Sequence, residues 1–164
     1  VSLGDECKEV LIYIDGEEPA VTATALGRGS YTVRRDTTPE PATPELFRRD
    51  DYRLLLIPDV ALQKTRLARR YLDGRADIWS DNGCGFAVGK AETPLCRQYE
   101  ILSIEHYDPR RLRRELKGRR IGIVKRDFPM PTQRLTAAIG VREGGDERVV
   151  FTSVKGEFLV IRSK

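Results

Sequence analysis

Apolar positions along this chain fall into two spacings, alternating or continuous runs that fit strands and four-residue repeats that fit helices. The clearest succession of both lies at residues 98–129. Residues 98–105 are rich in apolar and aromatic side chains and predict a strand. Asp108 followed by Pro109 predicts a helix start, because Asp caps free N–H groups and Pro is tolerated in the first turn. Leu112 and Leu116 then share one helix face, which should pack on a sheet. Lys117 and Gly118 supply a cation and a glycine stop at the helix end. Ile121, Ile123 and Val124 read as a buried strand closed by Phe128 and Pro129.

The same logic continues to the end of the chain. Pro131 pre-sets a helix whose buried side is Leu135, Ala138 and Ile139, and Gly140 stops it. Gly144 and Gly145 form a turn, and residues 147–154 and 157–162 form a hairpin joined at Lys155 and Gly156. From residue 98 the predicted order is βαβαββ, with the helices on one face of a small mixed sheet. Its expected core is Leu112, Leu116, Ile121, Ile123, Leu135, Ile139, Val150 and Leu159.

Upstream, residues 1–3 look like the end of a strand. Cys7, Val10, Leu11 and Ile14 follow at the spacing of an amphipathic helix starting at Gly4 or Asp5, although the β-branched run VLIYI also fits a strand. Residues 20–26 and 31–34 predict two strands around a turn at Gly27 and Gly29. The segment DTTPEPATPE, with three prolines, predicts an extended linker. Residues 52–57 predict a buried strand, and Pro58 and Asp59 open a helix running to Leu72, with Gly74 as its stop. Short strands at 76–79 and 86–88 flank a turn. The expected division is 1–35, a linker at 36–51, a connecting α/β segment at 52–95, and a C-terminal domain at 96–164.

Charge changes this picture in one place. Residues 109–126 hold nine Lys or Arg and one acid, Glu115, so the stretch carries +8 in a chain of net +4. The rest therefore sums to −4, and the basic character is local. On a helical wheel Arg110, Arg114 and Lys117 point away from the Leu112 and Leu116 face, flanked by Arg111 and Arg113. A local basic face on a packed element suits phosphate binding, whereas the bland alternative is an ordinary solvated helix face. A second basic face, Lys64, Arg66, Arg69 and Arg70, fits solvation better.

Other chemistry is sparse. The 164 residues suit one ordinary domain or two small ones, and no apolar run approaches the ~20 residues of a membrane span. Cys7, Cys84 and Cys96 are odd in number without a CxxC pair, so a disulfide framework or zinc site is not expected and a reducing cytoplasm fits. The single histidine, His106, reads as a turn residue and leaves no set for a Ser–His–Asp triad or a multi-histidine metal site. SDNGCGFAVG contains GxG but lacks the P-loop pattern and reads as a turn between strands. The chain does not begin with Met and opens inside an apolar segment, so it is expected to be a fragment of a longer protein.

With these pieces placed, the chain resembles the C-terminal part of bacterial class I S-adenosylmethionine-dependent methyltransferases carrying a THUMP-like domain. GDECKEVLIYI resembles their GECKE-type helix near the end of a Rossmann-like fold. YRLLLIPDVAL is similar to their Y-x-Y-x-PDPA strand–helix junction, with PDVA standing for PDPA. YEILSIEHYDPRRLRRELK, IGIVKRDFP and LTAAIGVREGGDERVVFTSVKGEFLVIR resemble the THUMP-like domain itself, with Asp127 where a Gly is usual after Lys–Arg. The resemblance implies an α+β chain, the last strand–helix–strand of a Rossmann-like methyltransferase fold followed by a small mixed-sheet βαβαββ THUMP-like domain. It also implies that S-adenosylmethionine belongs to the parent and no cofactor to this fragment.

THUMP domains occur in tRNA-modifying enzymes, so RNA, tRNA or rRNA, is the implied ligand. The expected contacts are Arg110, Arg111, Arg113, Arg114, Lys117, Arg119, Arg120, Lys125 and Arg126 on phosphates, with no catalytic or metal-binding residue. Within that segment only Tyr107 and Phe128 offer stacking, so base-specific contact is not expected. Further expected partners are the upstream catalytic domain and a second copy docked through the N-terminal segment. The alternative is a structural or protein-interaction module with no nucleic-acid ligand.

Overall fold

The computed structural model describes residues 1–4, 6–7, 19–34, 53–78, 87–89, 93–154 and 156–164. The proline-rich linker lies outside the described residues, as do most of the expected N-terminal helix and the GxG turn. The architecture is mixed α+β, two mixed sheets and a few short helices. The first sheet comprises β1 (Ser2–Leu3), β2 (Glu6–Cys7), β3 (Ala20–Ala25) and β4 (Gly29–Arg34), in the order β2-β1-β3-β4. β1 meets β2 antiparallel and β3 parallel. Cys7 therefore stands in a strand and not in the first turn of a helix. Gly4, at φ 54°, turns the chain back on itself immediately after β1.

Next come β5 (Leu54–Pro58), α1 (Val60–Lys64), α2 (Ala68–Leu72), β6 (Ala76–Ile78) and β7 (Ala87–Gly89). Asp59 caps α1 as expected, accepting a hydrogen bond from the Ala61 amide at 2.8 Å. The single helix expected through Leu72 is two helices. Arg66 takes φ 58°, and the Leu67 and Arg66 amides donate to the Leu62 and Gln63 carbonyls, a Schellman stop without its usual glycine. The Thr65 hydroxyl donates to the Ala61 carbonyl at 2.7 Å and reinforces the break.

β8 (Cys96–His106), α3 (Pro109–Leu116), β9 (Gly122–Arg126), α4 (Thr132–Ile139), β10 (Arg148–Val154) and β11 (Glu157–Ser163) follow in the predicted βαβαββ order. They join the second sheet, β6-β7-β5-β8-β11-β10-β9. β8 pairs with β5 from Cys96 to Glu100 and with β11 from Ile101 to His106, so one strand is shared between two partners on opposite edges. Only β9–β10 is parallel within this sheet.

The core has three clusters. Leu112 and Leu116 of α3 and Leu135 and Ile139 of α4 pack on Ile121, Val149, Phe151 and Val160, the helix-bearing face of the sheet. Burying each of these leucines stabilises the fold by roughly 1.5–3 kcal/mol. Val150, Leu159, Ile161 and Ile104 point to the opposite face and join Leu55, Ile57 and Val88. Ala23 and Ala25 of the first sheet pack with Leu56, Leu62, Tyr71, Leu72 and Leu95. Two expected core positions differ. Ile123 and Ala138 are half-buried, Ile123 because β9 is the edge strand of its sheet. No described helix is long and apolar enough to cross a membrane.

Asp59 also ties the first sheet to the second. Its Oδ1 accepts from the buried Ser2 hydroxyl at 2.5 Å, and Arg28 lies 3.7 Å from its Oδ2. Cys96 is buried beside it, and burial pushes its thiol up to about 12. Alkylation of the native protein should therefore leave Cys96 unmodified, with labelling appearing in peptide maps only after denaturation.

The turn before β10 is tightly fitted. Gly145 has φ 89°, and a Cβ there would meet the Arg120 carbonyl oxygen at 2.5 Å. Gly156, at φ 80°, has open space around it. In urea unfolding, Gly145→Ala should cost about 2–4 kcal/mol, and Gly156→Ala only about 1–2 kcal/mol, the backbone strain alone.

Candidate nucleic-acid interface

The basic stretch runs through α3 to β9, with α3 and Lys125 on the helix-bearing face of the second sheet and Arg126, two residues after Val124, on the opposite face. Two residues beyond β8, Asp108 accepts hydrogen bonds from the Arg110 and Arg111 amides at 2.9 and 3.1 Å. Leu112 and Leu116 turn inward and fix the rotation of the helix, so its arginines face out. Arg110 and Arg111 occupy the first turn, where the helix dipole is already positive, and the Asp108 carboxylate offsets that arrangement. Gly118, at φ 81°, and its amide bond to the Gly140 carbonyl at 2.8 Å end the element.

The nine expected contact residues separate into two groups. Arg110, Arg114 and Lys117 are exposed, and their side chains make no hydrogen bond or ion pair among the described residues. The others are engaged through their side chains, except Arg120, which is held among the described residues only by its backbone. Arg111 bridges Glu115 at 2.9 Å and Glu105 at 3.0 Å. Its hydrogen bond to Glu115, then the nearby charges, hold the arginine above its ordinary value. The same bond, assisted by the charges of Arg111, Arg162 and Arg114, holds the Glu115 carboxyl below its own. This pair therefore stabilises the fold above the unfolded carboxylate value, and that contribution is lost as the pH falls through the depressed one. Arg113 donates to the Ala137 and Ala138 carbonyls at 3.2 and 3.1 Å, the free acceptors at the end of α4. Arg119 pairs with Glu147, which also takes Arg162 at 2.7 Å. Arg120 forms a backbone bridge to Arg142, and its guanidinium lies over the Gly144 turn. Lys125 and Arg126 donate to the carbonyls of Phe128 and Lys125 at 3.0 Å each.

The +8 of the sequence is thus reduced in space by Glu105 and Glu147, carboxylates from outside the stretch. The Arg111–Glu115 pair was legible as an i, i+4 spacing. Glu147 was not, because it reaches Arg119 across 28 positions. Phe128, expected as a stacking residue, is buried between Tyr107 and Phe151 and cannot receive a base. Arg142, beside Arg120, is an exposed cation of this region that the sequence did not single out. Asp127, where the resemblance leads one to expect Gly, takes φ 53° and so keeps the left-handed backbone that glycine adopts freely.

Comparisons with known proteins bear on the fold that carries this surface. Residues 96–163 match the family described as THUMP domain-like, from the first residue of β8 to the last of β11. The structure is similar to the crystal structure of a "putative methyltransferase" from Porphyromonas gingivalis W83. The TM-score is 0.71 at 14% identity, covering 88% of this chain and 37% of that one. The chain thus spans little more than a third of the length of that protein. No curated protein matches.

The two groups of cations should respond differently to removal. Arg113→Ala frees two helix-end carbonyls and should cost about 0.5–1 kcal/mol in urea unfolding. Arg110→Ala should leave stability within about 0.5 kcal/mol of the parent.

Proposed function

We propose that this chain is a non-catalytic RNA-binding appendage of an S-adenosylmethionine-dependent methyltransferase, presenting tRNA or rRNA to a catalytic domain carried upstream. The observation that carries the reading is the row of Arg110, Arg114 and Lys117, three outward cations that make no ion pair or hydrogen bond among the described residues, on a helix whose other arginines are held by ion pairs or carbonyls. Unpaired guanidinium and ammonium groups on a rigid element bind phosphate without first losing an internal partner. The THUMP domain-like match at residues 96–163 supports RNA as the ligand, and the larger methyltransferase-like structure supports the parent chemistry. In this reading residues 1–35 close the catalytic domain, 36–51 link, and 52–95 connect it to the RNA-binding unit at 96–164. Arg111, Arg113, Arg119, Arg120, Lys125 and Arg126 set the field around the row. S-adenosylmethionine binds the parent outside these residues, and the assembly works in the cytoplasm.

A second reading, an interaction module without nucleic acid, is favoured by Leu3, Val21 and Leu26, which are about half exposed on the first sheet. Such a surface suits the catalytic domain or a second copy of the chain.

Salt dependence separates the two. Each neutralised phosphate contributes about −0.7 to −0.9 to the slope of log K against log salt, so three contacts give roughly −2 to −3. In filter binding with structured RNA, the triple variant Arg110→Ala, Arg114→Ala, Lys117→Ala should bind more weakly, with the slope flattened by about two to three units and folding barely changed. Equal binding by the variant would remove this helix face from the site. Absence of binding by the parent at low salt would leave the interaction-module reading.

A further inference from the structure

Beyond the charged row, one end of the second sheet carries four aromatic rings in contact. Phe151 and Phe128 are buried, Tyr107 is half-buried, and Phe158 is 43% exposed. Phe128 meets Tyr107, Phe151 and Phe158 edge-on at centroid distances of 5.1, 5.4 and 5.0 Å. Phe158 is therefore the outer ring of a rigid stack, fixed from behind and open in front. Its place in the sheet is set by pairing with Ser153 of β10 and by the Tyr107 amide, which donates to its carbonyl at 2.9 Å. Lys125 lies on the same face. It pairs with Phe151 in register, and its ammonium is held 3.0 Å from the Phe128 carbonyl, with two further N–H donors. α3 begins at this same end, two residues past Tyr107, and places Arg110 in its first turn.

We propose that Phe158 is a stacking platform for an unpaired base of single-stranded RNA, with Lys125 and Arg110 taking the phosphates on either side. An exposed aromatic face costs free energy in water and stacks on any base, and cations alongside supply the attraction for a backbone that a bare apolar patch lacks. The buried rings behind Phe158 hold it in place, so little side-chain freedom is lost on stacking. This inference rests on the RNA-binding reading and adds to it the strand state of the ligand, since a base inside a duplex offers no free face.

The test uses the whole chain, a single-stranded 12-mer oligoadenylate and a duplex RNA of the same length, followed by fluorescence anisotropy. Phe158→Ala and Phe158→Leu should each weaken single-strand binding by roughly ten-fold, leave the salt slope unchanged and leave duplex binding unchanged. Leu keeps the apolar bulk against Phe128, so its loss of binding separates stacking from a folding defect. Phe158→Trp should retain affinity and show indole quenching on addition of the oligomer, above the baseline from Trp79. If the Ala and Leu variants bind the single strand as tightly as the parent while the α3 triple variant does not, the platform falls and the RNA reading stands. If the parent binds neither RNA, both fall. If Phe158→Ala instead converts a dimer into a monomer in sedimentation, the ring belongs to a contact between copies and the platform is overturned.

Discussion

The shared strand β8 is the constraint on which the rest of the fold depends. Its 11 residues extend roughly 36 Å at the rise of a strand, about twice the usual length. Neither β5 nor β11 covers it alone. β5 takes the first half and β11 the second, and the handover lies where the β11 register shifts between Arg162 and Ser163. There the Lys164 and Glu100 backbones exchange two hydrogen bonds and the Ile101 amide turns to the Arg53 carbonyl. One strand thereby joins the helix-bearing face to the layer of α1, α2 and the first sheet. Asp59 secures the far side of that layer through Ser2 and Arg28, so the path from the N-terminal strands to α3 is continuous packed structure.

The placement of α3 follows from that strand. Asp108 caps the helix two residues after β8 ends, and the Leu112 and Leu116 side chains decide which way it faces. A helix with four arginines in eight residues gains little from its own charges. Arg110 and Arg111 oppose the dipole in the first turn, and only Arg113 and Arg114 in the last turn favour it. Acids recruited from Glu105, Glu115 and Glu147 and the carbonyls at the end of α4 absorb part of the repulsion. Arg110 keeps its charge with no such compensation, and Arg114 has only the nearby charge of Glu115. At Arg110, in the first turn, the helix dipole does not call for a cation.

Much of this was legible where the chain carries its own punctuation. Asp108, Gly118, Pro131, Gly140 and the Gly144 and Gly145 turn each sit at an element boundary, and the βαβαββ order follows from them. The break between α1 and α2 was not legible, because its left-handed residue is Arg66 rather than glycine. The edge position of β9 was not legible either. Strand order in the sheet departs from chain order, and the alternation of Ile121 and Ile123 looks the same in a central strand. At the N-terminus Cys7 stands in β2 and not in the expected helix, and the VLIYI run that fits either period lies outside the described residues. On the surface, the helical wheel separated Arg110, Arg114 and Lys117 correctly. It could not show that Arg119 would find Glu147, or that Phe128 would face inward and Phe158 outward, since those outcomes depend on tertiary neighbours.

The spacing of the three free cations bears on how they act together. Arg110, Arg114 and Lys117 stand at i, i+4 and i+7, and at 1.5 Å per residue the row spans roughly 10 Å along α3. Neighbouring phosphates on one strand are separated by well over their ~3.4 Å rise along a duplex axis, so the row meets about two to three of them. A compact cluster of the same charge would hold a single phosphate group. In the proposed reading a row of this length on a helix follows a phosphate backbone and carries no base information of its own. In the proposed RNA-binding reading, any discrimination among RNAs has to come from where the row ends, and at the Arg110 end the chain places its aromatic rings.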